Sequence, residues 1–141
     1  MSIKLRILCY PKKGKLDNFA QAIAEKYQLT ANSIDVIPPG YPCNNERIVI
    51  IGASFRGDVP DKLRIFAREL SKSRAQNVAL YINGNESSAN KLVSILKEAG
   101  TNIVEEVQYV NGGLLPIFSK INGNEKSSML EWVERILTKL T

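Results

Sequence analysis

The chain has 141 residues, 44% of them hydrophobic and 23% charged, and a net charge of +5. That length suits one domain spanning 1–141 that buries roughly 70% of its unfolded surface, and the composition argues against a disordered chain. No apolar run approaches the ~20 residues of a membrane helix. The basic N-terminus "MSIKLRILCY" lacks the apolar length and cleavage segment of a signal peptide, so the protein is expected to be cytoplasmic, with no membrane span. With no His and two unclustered cysteines, a metal site of the zinc or iron–sulfur kind is not expected. Cys9 falls in an apolar strand and reads as a small hydrophobe; a disulfide to Cys43 is not expected.

In chain order, residues 3–10, "IKLRILCY", pass from alternation into a continuous apolar end, the pattern of a strand becoming buried. In 16–27, Phe19, Ile23 and Tyr27 recur every four residues beside Leu16 and Ala20, one face of a helix, with Asp17 and Asn18 placed to cap its first turn. "IDVI", 34–37, predicts a short strand, and three prolines with a glycine make the following stretch a loop. "RIVIIGAS", 47–54, is apolar without alternation, as in a central parallel strand covered on both faces. Pro60 suits a first helical turn, and the helix over 60–72 presents Leu63, Phe66, Ala67 and Leu70. A strand follows at 77–83. The next helix is capped by Ser87 or Ser88, buries Leu92, Ile95, Leu96 and Ala99, and ends on Gly100. A fifth strand is predicted at 102–110. A last helix over about 127–140 shows Met129, Val133, Ile136, Leu137 and Leu140 in register, with Trp132 at its flank and expected to cover core. The intervening segment 111–126 carries Leu114, Leu115, Ile117 and Phe118 and is a candidate lid, homodimer contact or partner surface; the alternative is packing across the sheet edge.

Alternating strands and helices predict an α/β fold: a doubly wound, five-stranded parallel sheet of order 2-1-3-4-5 with helices on both faces. One helix is missing or very short between the second and third strands. In such a sheet, ligands bind at the switch point beyond the carboxyl ends of strands 1 and 3. Three loops meet there: Pro11–Leu16, Ser54–Val59 and Asn83–Ser88. The first joins a strand to a helix N-terminus, whose free amides and dipole favour an anion. Gly14 permits close backbone approach, and Lys12, Lys13 and Lys15 add cations; the alternative is a plain turn with solvated lysines. It is not a Walker loop, because Gly14-Lys15 leads to Leu16. In the second loop Phe55 can stack on a planar ring and Arg56 can pair with an anion; alternatively Phe55 folds back on the sheet. The third offers Asn83, Gly84, Asn85 and Ser87, or is only a turn. The three loops hold no paired carboxylates and no general base or nucleophile, so no catalytic side chain is assigned, and cofactor-borne chemistry suits the chain better than hydrolysis. The basic residues are dispersed and follow no nucleic-acid-binding pattern, so no nucleic acid is expected.

At these residues the chain resembles the flavodoxin-like family. The best agreement is "RIVIIGASFRGDVPDKLRIFARELSKSRAQNVALYINGN", 47–85. "IGASFRG" and "VNGGLLPIFSKING" are similar to segments of its protoporphyrinogen-oxidase-like branch. The resemblance implies a flavoprotein that binds FMN and moves electrons, as an electron carrier or FMN-dependent oxidoreductase. Carried over, the phosphate loop is Pro11, Lys12, Lys13, Gly14, Lys15 and Leu16. The loops flanking the flavin ring are Ala53, Ser54, Phe55, Arg56 and Gly57, and Asn83, Gly84, Asn85 and Glu86. The family's loop is rich in Ser and Thr; this one keeps Gly14 but has Lys13 before it and Leu16 where a hydroxyl is expected. The alternative is therefore a binding or regulatory protein of this fold that has lost FMN. The family's electron carriers tend to be acidic, whereas a +5 chain favours an acidic redox partner protein.

Overall fold

The computed structural model describes residues 4–34, 46–104, 106–110 and 120–140. Strand β1 (Leu5–Tyr10) leads into helix α1 (Gly14–Lys26), then β2 (Asn32–Ser33), β3 (Ile48–Ser54), α2 (Asp61–Arg68), β4 (Asn77–Asn83), α3 (Glu86–Ala99), β5 (Asn102–Ile103), β6 (Gln108–Tyr109) and α4 (Gly123–Lys139). The sheet is parallel in the order β2-β1-β3-β4-β5, with β6 also pairing β4. The doubly wound α/β architecture and its strand order are those expected from the sequence.

Period-two alternation sorts the central strands onto two cores. Ile7, Cys9, Ile48, Ile50, Ala79 and Tyr81 face α1 and α4, where Phe19, Ile23, Trp132, Val133 and Ile136 meet them. Leu8, Val49, Ile51, Ala53, Val78, Leu80 and Ile82 face α2 and α3, with Leu63, Ala67, Leu92 and Leu96. Both faces of the sheet are thus covered, which is why β3 and β4 read as near-continuous apolar runs. At the amino-terminal edge of the sheet a polar layer fixes the register. Glu46 is buried beside Arg6 at 3.3 Å, and the Asn77 side-chain amide donates to the Arg47 carbonyl at 3.0 Å.

Several boundaries differ from the sequence-based expectation. β2 lies at Asn32–Ser33 rather than 34–37; Ile34 is in a turn, and 35–45, with Cys43 and the proline-rich loop, fall outside the described residues. α1 begins at Gly14 with Lys13 as its extended N-cap, so Asp17 and Asn18 lie inside it and do not cap it. α2 ends at Arg68, and Pro60 is its N-cap rather than a first-turn residue. α3 is capped by Asn85, whose side chain accepts from the Ser88 amide at 2.8 Å; neither Ser87 nor Ser88 is the cap. Gly100 closes it at φ 111°, as its position predicts. α4 starts four residues early because Asn122 and Glu125 form a reciprocal capping box. Residues 111–119, with Leu114, Leu115, Ile117 and Phe118, lie outside the described residues.

The fifth strand is not continuous. Between Ile103 and Gln108 the chain spends two more residues than β4 does between Val78 and Tyr81. Within this stretch Glu106 sits at φ 77°. Trp132 of α4 clamps this bulge, its Nε1 donating to the Glu106 carbonyl at 2.8 Å, and Arg135 pairs with the Glu106 carboxylate at 2.8 Å. Trp132 is therefore fully buried, covering the core as expected from the sequence. Among the described residues no helix is long and apolar enough to cross a membrane.

Candidate functional site

β1, β3 and β4 end side by side, with Tyr10 opposite Ala53 and Ser54 opposite Asn83. The three turns that leave them therefore emerge at the same edge, at the reversal of strand order between β1 and β3.

The chain leaves β1 through a cis Tyr10–Pro11 peptide. The Lys13 amide donates to the Pro11 carbonyl at 3.0 Å, and Gly14 sits at φ 65°, a conformation L-residues rarely adopt. Among the described residues no side chain caps α1. The amides of Gly14, Lys15 and Leu16 take no partner among the described residues, whereas α3 and α4, which start at the same sheet edge, are capped by asparagines. The three lysines part company. Lys12 pairs with Asp17 at 3.2 Å, and Lys15 reaches across to Glu125 of α4 at 2.5 Å. That contact, first through its hydrogen bond, holds the Glu125 carboxyl below its usual range. Lys13 is exposed and has no ion-pair partner among the described residues. Leu16 points into the core.

Beneath this loop lies a buried polar row. Cys9, Gly52 and Tyr81 are neighbours across β1, β3 and β4. The Tyr81 ring runs over Gly52 and its hydroxyl donates to the Leu16 carbonyl at 3.0 Å. The Cys9 thiol donates to the Pro11 carbonyl at 3.4 Å. Burial, more than the neighbouring Cys9, holds the Tyr81 phenol well above its ordinary range, so it keeps its proton and remains a donor.

The second and third turns are latched to each other. The Gly57 amide donates to Ser88 Oγ at 2.9 Å, and Asp58 pairs with Lys91 at 2.9 Å. Ala53 is buried; Ser54 and Asn83 are half-buried; Arg56, Gly57, Asn85 and Glu86 are exposed. Phe55 is only 8% exposed and packs in the core facing α2 and α3, so its ring folds back rather than standing as a free plate. Gly84 is required by packing: a Cβ there would sit 2.5 Å from the Phe55 carbonyl oxygen. Because the crowded atom is backbone, a Gly84→Ala variant is expected to lose about 2–3 kcal/mol in a urea melt, the upper part of the overpacking range. Gly57→Ala meets no atom within 4 Å and carries only the strain of φ 77°, so it is expected to lose about 1 kcal/mol. Equal losses would mean the two turns do not touch through Gly84.

The structure thus brings all three sequence-predicted loops to one edge. It sets Phe55 and Leu16 inward, and it commits Lys12 and Lys15 to carboxylates. Sequence reasoning missed those carboxylates, the Ser88 latch and Tyr81. Of these only Glu125 carries a local signal, the Asn122-x-x-Glu125 spacing. Tyr10 and Tyr109, the latter 46% exposed, are further aromatic side chains at the carboxyl edge. A cavity of about 270 Å³ lies beside the Lys15–Glu125 pair, lined in part by Phe19, Gln108, Tyr109 and Met129.

No family model matches the sequence, and no curated protein matches it. Nineteen solved chains match its structure. A short-chain flavodoxin associated with a PDU bacterial microcompartment is 10% identical with a TM-score of 0.66, each chain covered over 100% of its length. A flavodoxin from the domain Archaea is 13% identical with a TM-score of 0.65, covering 98% of this chain and 99% of its own. The Streptococcus pneumonia TIGR4 flavodoxin is 11% identical with a TM-score of 0.65 and the same coverage. Identities this low carry the architecture alone, and the chain has the flavodoxin-like fold.

Proposed function

We propose that the protein is a flavodoxin-like, FMN-binding electron-transfer protein with a divergent phosphate loop. The observation that carries this reading is the first turn of α1, which among the described residues has no side-chain cap, with Gly14 at positive φ and Lys13, without an ion-pair partner among those residues, beside it. Those groups fit a phosphate: three bare amides, a helix dipole and one cation replace the missing hydroxyls. The amides of Gly14, Lys15 and Leu16 with Lys13 would hold the phosphate, and the turns 53–57 and 83–86 would flank the ring. With Phe55 folded inward, ring contacts in this reading fall to the backbone of those turns. When bound, the flavin supplies the redox chemistry, and the protein binds, orients and shields it. The basic charge suits an acidic redox partner, with association that weakens as salt rises.

A second reading, a binding or regulatory protein of this fold that does not hold FMN, draws on the inward Phe55 and the internal pairs of Lys12 and Lys15. Titration with FMN separates them. Under the first reading flavin fluorescence is quenched, and at 100 times Kd the fold gains about 2.7 kcal/mol, raising the melting temperature. A colourless protein whose melting temperature ignores excess FMN supports the second. Lys13→Ala is expected to weaken FMN about tenfold, the scale of one charge-assisted hydrogen bond, without changing the apo melting temperature. Lys12→Ala, already paired with Asp17, is expected to weaken it less.

A further inference from the structure

The site proposed above depends on amides whose own positions must be held by something other than a side-chain cap. The donors that hold the loop come from below. Tyr81 lies on β4, two strands over from β1, and reaches the Leu16 carbonyl only because Gly52 of the intervening strand has no side chain. Leu16 is in the first turn of α1. Cys9 makes the matching contact at the other end of the loop, donating to the Pro11 carbonyl. Both are buried completely. Two carbonyls of one six-residue loop are thus drawn down onto the sheet. Peptide groups are planar, so fixing a carbonyl fixes the plane of its peptide and the placing of its neighbours. The peptide fixed at Leu16 carries the Asp17 amide, which donates to the Lys13 carbonyl at 3.4 Å, and the one fixed at Pro11 carries the Lys12 amide; the bare amides of Gly14, Lys15 and Leu16 lie between these two anchored peptides.

We propose that Tyr81, assisted by Cys9, is a positioning residue for the anion loop: its hydroxyl anchors the first turn of α1 so that the Gly14–Leu16 amides converge on a phosphate group. This rests on the FMN reading for the identity of the ligand. A brace of this kind acts on the phosphate and not on the flavin ring, whose flanking turns are tied separately through Gly57 and Ser88. Its signature is a change in the preference for FMN over riboflavin, which differ by the phosphate.

The test uses the full chain and Tyr81→Phe, which keeps the ring against Gly52, Phe19 and Trp132 and removes only the hydroxyl. Hydrogen exchange of the apo protein is read first, at the hydrogen-bonded amides that flank the bare ones, those of Lys13 and Asp17. The variant is expected to exchange faster there, with the amides of β3 and β4 unchanged. FMN and riboflavin are then titrated separately. FMN affinity is expected to fall about tenfold while riboflavin affinity stays within about twofold, the scale expected when one hydrogen bond that orders a charged-ligand site is lost. If wild type binds FMN and Tyr81→Phe leaves both exchange and preference unchanged, the positioning role is overturned and the flavin reading stands. Equal losses for FMN and riboflavin, with a lower melting temperature, mean that the hydroxyl serves the fold alone, and also overturn it. If wild type binds neither FMN nor inorganic phosphate, the flavin reading fails and this role fails with it.

Discussion

Replacing Gly52 by alanine is expected to remove more than about 3 kcal/mol of stability, beyond the usual range for overpacking. The added Cβ would stand 2.1 Å from the Tyr81 ring, far inside van der Waals contact. Neither partner can yield. Gly52 lies in the middle of β3, paired with Cys9 on one side and Tyr81 on the other. The Tyr81 ring is held edge-on by Phe19 at 6.2 Å and by Trp132 at 6.5 Å. Urea unfolding reads the loss directly, and for a domain of this size it corresponds to a melting temperature lower by roughly 10 °C. The double variant Gly52→Ala/Tyr81→Leu removes the clashing ring atoms and is expected to recover part of the loss. A Gly52→Ala protein that melts within a degree of wild type would show that Tyr81 does not cross β3, and the bond to Leu16 would go with it.

The second large effect is at Trp132. Trp132→Ala is expected to cost about 3–5 kcal/mol, the scale for emptying a fully buried aromatic site. Trp132→Phe separates the two contributions of the side chain. Phenylalanine retains most of the packing against Tyr81 but leaves the Glu106 carbonyl without its indole donor, a loss of about 1–3 kcal/mol. The Phe variant is also expected to speed hydrogen exchange at 106–110 more than in β3, because Trp132 holds the bulge that sets β6 in register with Tyr81 and Ile82. If Trp132→Phe is neutral in urea and exchange at the bulge is unaltered, the edge of the sheet is held by its ladder and by Arg135 instead.

The parallel sheet was readable from local pattern because burial on both faces leaves a strong trace. "RIVIIGAS" and "NVALYIN" carry almost no polar residue, and each became a seven-residue strand. The helical faces were equally plain: Phe19, Ile23, Leu63, Leu92, Met129, Val133 and Ile136 are all buried where four-residue spacing puts them. The split of the fifth strand was not readable, since nothing local marks Glu106 for positive φ; an indole 26 residues away makes that conformation worthwhile. The pairs Lys12–Asp17 and Lys15–Glu125 show the same limit. A run of lysines reads as excess positive charge, and only the packing of α4 beside α1 turns one of them into an internal contact.

One pentapeptide states the division sharply. "INGNE" occurs twice, at 82–86 and 121–125. In the second copy the first asparagine, Asn122, caps α4 and the glutamate completes the capping box. In the first copy Asn83 is held in the ladder opposite Ser54, and Gly84 lies against the Phe55 carbonyl. The cap therefore moves two residues on, to Asn85. The sequence by itself determined that a helix begins there, because Asn and Gly leave strand and helix interiors and satisfy free amides. Tertiary structure alone decided which residue begins it and which way the side chains of the loops point. Those outcomes depend on contacts between segments far apart in the chain, whose energies no local window contains.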